Sequence, residues 1–420
     1  MYLVAIHVPI YVDGSRKLLT TEWYRALELL RDSFAGRYGQ IAVVAPSQPA
    51  DSMVIEHPLI AVADSSDDFR LFPDFDLRCR AREYWMQHRA GWQAKLNGLV
   101  AEAKVVHTGL DDVYRPIAFE GFRAAVRLGK PSVFFQDTDI VVQQKQLKAN
   151  AGARARLMGA AYSWAFERLC RWSVARADLS LLKGSALMAR YQAYAKNAKE
   201  FHDTAYFAAD IVQEEDLERR LAGLSSARPL RLVYCGRLTP RKGVDKSLLI
   251  VAGAIAAGAA VEFDIIGDGS ERARLEALAT SCGIGASVRF LGSLPYDAQL
   301  LKRLSAYDGL LFTPTAEDTP RMIFDGYAAG LPLIAFGIGY VLERHSQERA
   351  TYLLPRDQIE ESALRLADLE RNRGNLAELA RLARTAAGYH SSDYWYRRRA
   401  EWTIEAVDRH DREATQKMRR

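Results

Sequence analysis

A chain of 420 residues is too long for one ordinary core and suits two domains of roughly 200 residues each. Hydrophobic content of 49%, charged content of 26% and only 14 prolines exclude a disordered or fibrous protein. Cys79, Cys170, Cys235 and Cys282 stand far apart, without a Cys-x-x-Cys pair or a His at ligand spacing. That excludes a disulfide scaffold and a zinc ribbon and fits a reducing cytosol.

In chain order, Met1 to Pro9 has no basic leader region, and His7 and Pro9 interrupt its apolar run. It is expected to be a first strand, Leu3 to Val8, rather than a targeting segment. Further strands are expected at Ile41 to Ala45, Val105 to Thr108, Ser132 to Phe135 and Leu179 to Leu182. Long helices are expected between them, notably Leu18 to Phe34 and Leu77 to Leu99. The longest apolar stretch, Leu248 to Val261, is too short for the roughly 20 residues of a spanning helix. No transmembrane anchor is expected.

Charge is unevenly spread. The whole chain carries a formal +5, yet Gln143 to Arg176 alone carries +6: Lys145, Lys148, Arg154, Arg156, Arg168, Arg171 and Arg176 against Glu167. Tyr162, Trp164, Phe166 and Trp172 are interleaved with these cations. A basic helix carrying Trp suits an anionic membrane surface, and the alternative is a solvated helix over an aromatic core stripe. No recognition motif accompanies the charge, so nucleic acid is not expected as a partner.

The second half alternates strands and helices more cleanly. Strands are expected at Leu230 to Cys235, Val261 to Ile266, Ser287 to Leu291, Gly309 to Thr313, Pro332 to Phe336 and Ala350 to Leu354. Such βαβ repetition predicts a parallel sheet covered on both faces. A boundary is expected near Leu221 to Pro229. This gives domains at 1–225 and 226–390, followed by a helical segment, 391–420, that packs back toward the first domain. Two doubly wound domains bind ligands at the carboxyl ends of their strands.

Two motifs carry chemistry. In Thr313 to Pro332, Thr319 is expected to N-cap a helix with Pro320 in its first turn. Glu317 then lies on the loop and Asp325 about one and a half turns into the helix. Two carboxylates so spaced can hold different hydroxyls of an extended polyol; the alternative is a loop charge and a solvated helical one. In Leu232 to Gly243, a strand is followed by Gly236, Arg237, Arg241, Lys242 and Gly243. Cations just past a strand end suit a diphosphate, since Arg can grip phosphate oxygens bidentately.

These residues resemble the donor-binding domain of retaining GT-B glycosyltransferases, the glycosyltransferase family 4 group (glycosyl transferases group 1). The landmarks are Gly236-Arg237 with Lys242-Gly243, Ile266 to Gly269, Val288 to Gly292, the E-x7-E motif as Glu317 and Asp325, and Ala328 to Ala335. The resemblance is close over Leu230 to Glu343 and general in the first half. It implies two Rossmann-like domains facing across a cleft, and transfer from a nucleotide diphosphate sugar with retention, without metal or other cofactor.

By the same resemblance, Arg237 and Lys242 stabilise the leaving diphosphate and Glu317 holds the donor sugar. Asp325 holds the ribose, and Gly236, Asp318, Thr319, Arg321, Met322, Gly292 and Leu294 complete the donor site. Asp325 stands where the family has Glu, and Pro320 where it often has Gly. Gln136-Asp137 follows the strand after which the family often has His. Gly14, His107, Gln136 and Asp137 are the acceptor-side candidates, and Asp137-Thr-Asp139 is a carboxylate pair resembling a metal motif. The expected acceptor is a sugar or lipid-linked saccharide in polysaccharide or glycolipid assembly, at the inner face of the membrane in the cytoplasm. The alternatives are a GT-B sugar-nucleotide epimerase or hydrolase, and a catalytically silent subunit of a transferase complex.

Overall fold

The computed structural model describes residues 1–52, 58–64, 66–148, 152–224, 228–316 and 319–419. The chain forms two compact units, Met1–His202 with Trp395–Arg420, and Asp203–Tyr394. The division thus falls at 202/203 and 394/395. Residues 203–224 join the second unit because their backbone and cations are spent on it. Val212 N–H donates to Ala328 O at 2.8 Å. The Arg220 guanidinium donates to the carbonyls of Ser305, Ala329 and Gly330.

The first unit is a ten-stranded sheet. Its strands are β1 (Tyr2–Ala5), β2 (Ile10–Asp13), β3 (Arg16–Thr20), β4 (Ile41–Pro49), β5 (Leu59–Val62), β6 (Phe69–Asp76), β7 (Val105–Gly109), β8 (Ser132–Gln136), β9 (Leu179–Lys183) and β10 (Ala198–Phe201). The order is β10-β9-β8-β7-β1-β4-β2-β3-β5, with β6 also on β4. All pairs are parallel except β2–β3 and β3–β5.

That antiparallel edge corrects two sequence expectations. The first strand stops at Ala5, and the chain resumes as β2 after Pro9, whose missing N–H cannot join a ladder. The expected Leu18 to Phe34 helix starts only at Thr21, where Thr20 Oγ1 accepts from Trp23 N–H. Leu18 and Leu19 belong instead to β3, reached through a two-residue turn at Gly14-Ser15 between paired Asp13 and Arg16. The expected Leu77 to Leu99 helix begins at Ala81, passes through a π-turn at Tyr84–His88 and ends at Glu102.

The second unit is simpler. Strands β11 (Leu230–Cys235), β12 (Val261–Ile266), β13 (Val288–Gly292), β14 (Gly309–Phe312), β15 (Leu333–Phe336) and β16 (Thr351–Leu354) form an all-parallel sheet in the order β13-β12-β11-β14-β15-β16. Helices cover both faces, as the apolar runs predict. Leu232, Val233, Phe263, Ile265, Leu311 and Ile334 are fully inaccessible in its core.

The long helix Ser392–Arg419 carries the chain back to the first unit. Its Ala400, Ala406 and Val407 are buried in the same apolar cluster as Tyr2, Ile41 and Leu179. Among the described residues, no helix is long and apolar enough to cross a membrane.

Candidate functional site

The carboxyl edge of the second sheet is closed by backbone, not by side chains. Gly236 N–H donates to Ile266 O, Leu238 N–H to Asp268 O and Gly267 N–H to Gly292 O, at 2.8–2.9 Å. The tips of β11, β12 and β13 are thereby sewn together. Such close approach requires glycine: a Cβ on Gly267 would lie 1.9 Å from Gly236 O.

The turn after β11 is tied in the same way to the loop after β14. Gly243 adopts φ +65°, and a Cβ there would lie 1.9 Å from Thr313 O. The Gly243 carbonyl accepts from Thr313 Oγ1 at 2.8 Å, which also meets Ser247 Oγ at 2.7 Å. Thr315 N–H donates to Arg241 O at 3.0 Å. The turn therefore presents Arg237 and Arg241 exposed and Lys242 half-buried, with Lys242 Nζ 6.0 Å above the Phe312 ring. Arg237 O accepts from the Tyr234 hydroxyl at 3.0 Å, fixing the backbone beneath that cation.

Glu317 and Asp318 lie outside the described residues. The helix that follows is Met322–Ala328, with Arg321 rather than Thr319 at the N-cap position and no side-chain cap. It starts later than expected because Phe324 N–H donates to Arg321 O at 2.9 Å, leaving Thr319 and the buried Pro320 ahead of the first turn. Asp325 accordingly falls in that first turn. It is not a solvated helical charge: it is 9% exposed, and its Oδ1 accepts from the Tyr296 hydroxyl at 2.7 Å.

Burial pushes the Asp325 carboxyl up to about 6, against the pull of the Tyr296 hydroxyl and the Arg321 cation. Burial also pushes the Cys235 thiol up to about 12, and Asp325 adds to it, so the carboxylate sits beside the end of β11. Met322 belongs to the same place, its Sδ 3.7 Å from the Cβ position of Gly236. Gly292 turns at φ +72° with Arg272 Nη1 close by, and Leu294 packs half-buried on the core. The structure thus gathers Gly236, Met322, Asp325 and Cys235 at one strand edge, with Gly292 at the end of neighbouring β13.

Behind this helix lies a charged cluster that sequence reasoning missed. Arg344 is fully buried and pairs with Glu343, Gln347 and Glu348, the last at 2.6 Å. Glu348 Oε1 also meets His390 Nε2 at 3.0 Å, and the His390 ring lies 4.5 Å from that of Phe324. In the sequence, Arg344 and Glu348 read as an ordinary solvated i,i+4 pair. Tyr296 was missed for a similar reason: a Tyr in a loop carries no signal until its partner is known.

In the first unit the acceptor-side candidates scatter. His107 stands half-buried in β7, 2.9 Å from the Tyr2 hydroxyl and beside the Phe135 ring. Burial, with the Arg399 cation adding, takes its pKa down to about 3, so the ring is neutral. Gln136 is buried and donates to Thr138 O. Asp137 is exposed, and Asp139 accepts from Val142 N–H at 3.0 Å and pairs with Arg190. Gly14 sits in the hairpin turn with open space about it. A polar pair that the sequence did not single out is His7 with Asp111, 3.7 Å apart past the ends of β1 and β7.

The basic segment forms the helices Ile140–Leu147 and Ala153–Val174. Its two tryptophans part company. Trp164 is 68% exposed, whereas Trp172 packs edge-on against Phe119 and Phe122. Arg171 pairs with Glu167 at 2.8 Å, and Arg154, Arg156 and Arg168 are exposed.

Known proteins resemble this chain in its second unit and in its fold. Residues 219–387 match the family described as glycosyl transferases group 1. A GDP-mannose-dependent alpha-mannosyltransferase of Mycobacterium tuberculosis is 29% identical over 251 residues, covering 58% of this chain and 59% of the relative. A 2-deoxystreptamine glucosyltransferase of Streptomyces kanamyceticus is 28% identical over 149 residues, 36% of this chain and 38% of the relative. The matches thus span less than two thirds of these relatives. Among solved structures, Anabaena HepE in complex with UDP superimposes with a TM-score of 0.63 at 17% identity, over 97% of this chain and 100% of that one. WaaG, a glycosyltransferase involved in lipopolysaccharide biosynthesis, gives 0.58 at 16% identity, over 97% and 99%. The fold is GT-B, and residues 219–387, most of the second unit, are similar to the glycosyl transferases group 1 family.

Proposed function

We propose that this protein transfers a sugar from a nucleotide diphosphate sugar to an acceptor hydroxyl, with retention at the anomeric carbon and without metal. The observation that carries this reading is the glycine-closed edge of the second sheet, which holds Arg237 and Lys242 on a turn locked to the loop leading to Glu317. Cations at that place offset charge developing on a departing diphosphate. Arg237 and Lys242 take that role here, Glu317 orients the donor sugar and Asp325 holds the ribose. Asp318, Thr319, Arg321, Met322, Gly292 and Leu294 line the donor.

The test is direct. Purified protein is screened by thermal shift against UDP-, GDP- and ADP-sugars, since a bound donor raises stability by mass action. The donor that binds is then followed for nucleoside diphosphate release and, by NMR, for the anomeric configuration of the product. Arg237→Ala should lower turnover on the order of a hundredfold. Unchanged turnover would remove the clamp, and inversion of configuration would remove the retaining mechanism.

The surface of the Ala153–Val174 helix supports a lipid-linked acceptor in polysaccharide or glycolipid assembly, met at the cytoplasmic face of a membrane. Leu157, Met158 and Trp164 are 73%, 55% and 68% exposed, flanked by the exposed Arg154, Arg156 and Arg168. Each basic residue near an anionic surface is worth about 1 kcal/mol. The protein should sediment with anionic vesicles at low salt and be released at high salt. The combined Arg154→Gln, Arg156→Gln and Arg168→Gln variant should stay in the supernatant with its donor affinity intact. Wild type remaining in the supernatant at low salt would remove the membrane from this reading.

A further inference from the structure

The carboxylate at 325 is one methylene shorter than the glutamate its family places there, and in this structure it is not alone. Tyr296 reaches it from another element. Pro295 precedes that tyrosine, and Asp297 follows it as the N-cap of the Ala298–Leu304 helix, its side chain accepting from Leu300 N–H at 3.0 Å. The backbone on both sides of Tyr296 is thus restrained by a ring or a cap. From there the hydroxyl donates to Asp325 Oδ1 at 2.7 Å, while the residue stays 46% exposed. A buried carboxylate is so joined to a surface-accessible phenol at the strand edge that also carries Cys235 and Gly236.

We infer that Tyr296 and Asp325 together form the clamp for the ribose diol of the donor, with the Tyr296 oxygen as one of its two hydrogen-bond acceptors. The inference rests on the nucleotide-sugar reading of this edge. A vicinal diol offers two O–H donors on neighbouring carbons and needs two acceptors side by side. With its proton committed to Asp325 Oδ1, the Tyr296 oxygen keeps its lone pairs for one hydroxyl. Asp325 Oδ2, which makes no hydrogen bond among the described residues, takes the other. The phenol oxygen moves one acceptor position outward from the short carboxylate, which compensates for the missing methylene. The negative charge on Asp325 holds the phenol proton inward and makes its oxygen a better acceptor.

Titration calorimetry tests the clamp with three ligands: whichever of UDP, GDP and ADP binds wild type most tightly, and its 2′-deoxy and 3′-deoxy forms. Tyr296→Phe keeps the ring, and the side chain is partly exposed, so the variant should fold with an unchanged melting temperature. It should bind the ribonucleotide about three- to tenfold more weakly than wild type, the scale of one neutral hydrogen bond. Against one of the two deoxy forms it should lose almost nothing further, because the hydroxyl that faces Tyr296 is already gone. Equal affinity of wild type and Tyr296→Phe, or the same loss on all three ligands, would overturn the clamp while leaving the donor site standing. Wild type binding none of the three diphosphates would overturn the donor reading and the clamp with it.

Discussion

The two units end their parallel strands in opposite ways. In the second, β11, β12, β13 and β14 are joined at their carboxyl ends by glycines so tightly packed that no side chain fits between them. In the first, the same edge is extended: β4 runs nine residues and hands its outer half to the β2–β3 hairpin. At the carboxyl end of β8, Gln136 donates to the Thr138 carbonyl, and Asp137 beside it is exposed. Backbone alone joins the strand tips of the second unit, whereas in the first the sheet itself continues past them.

The sharpest way to break this comparison is one methyl group placed in each unit. Gly243→Ala must drive Cβ into the Thr313 carbonyl and hold φ at +65°. It should cost about 4 kcal/mol or more, at the severe end of single substitutions. Gly14→Ala meets open space at φ +57° and should cost only about 1–2 kcal/mol for the left-handed conformation. Equal losses in urea unfolding would mean that the glycine edge is not special.

The next test compares two buried titratable groups. Asp325→Ala should weaken nucleotide binding by about 1.5–3 kcal/mol, the scale of a hydrogen bond to a charged acceptor. The wild-type carboxyl has a folded pKa near 6, above the ordinary aspartate value, so the folded protein binds a proton there more readily than the unfolded chain does. Ionising it lowers stability as pH rises toward 6, while ligand binding needs the ionised form and weakens as pH falls below 6. Tyr296, Cys235 and Tyr206 interact with this carboxyl, and burial pushes each of them upward, away from that range. Calorimetry between pH 5 and 7 should therefore show affinity rising with pH in wild type and flat in Asp325→Ala.

The smallest effect belongs to the first unit. With its folded pKa near 3 and an unfolded value of about 6.5, neutral His107 contributes stability that is present above pH 6.5 and is lost as pH falls toward 3. His107→Gln should flatten the stability–pH curve between 6.5 and 5 by about 1–2 kcal/mol, read from urea midpoints, with little effect on nucleotide binding. An unchanged curve would mean that the ring protonates freely in the folded protein, against its burial.

The second unit was largely legible in the sequence because each of its strands is a short apolar run bounded by glycine or proline. The turn from Gly236 to Gly243 was equally plain, since the residue types are dictated by space. What could not be read was partnership across the fold. Asp325 is burdened by burial and relieved by Tyr296, 29 residues earlier. Arg344 and Glu348 are four residues apart in sequence, as a surface pair would be, and only their burial with His390 distinguishes them. In the first unit the misreadings had a local cause. Leu18 and Leu19 continue the helical period of the following segment, so the Thr20 cap and the Gly14-Ser15 turn were overlooked as boundaries.

One feature of the chain path bears on its synthesis. The Ser392–Arg419 helix supplies Ala400, Ala406 and Val407 to a core that begins at Tyr2, after the whole of Asp203–Tyr394 has intervened. On the ribosome the first unit emerges early yet lacks part of its own interior until the last helix is made. At 5–20 residues per second that interval lasts roughly 10–40 s. During it, an apolar face of the sheet stands open to water and to chaperones, so the unit that starts first finishes last.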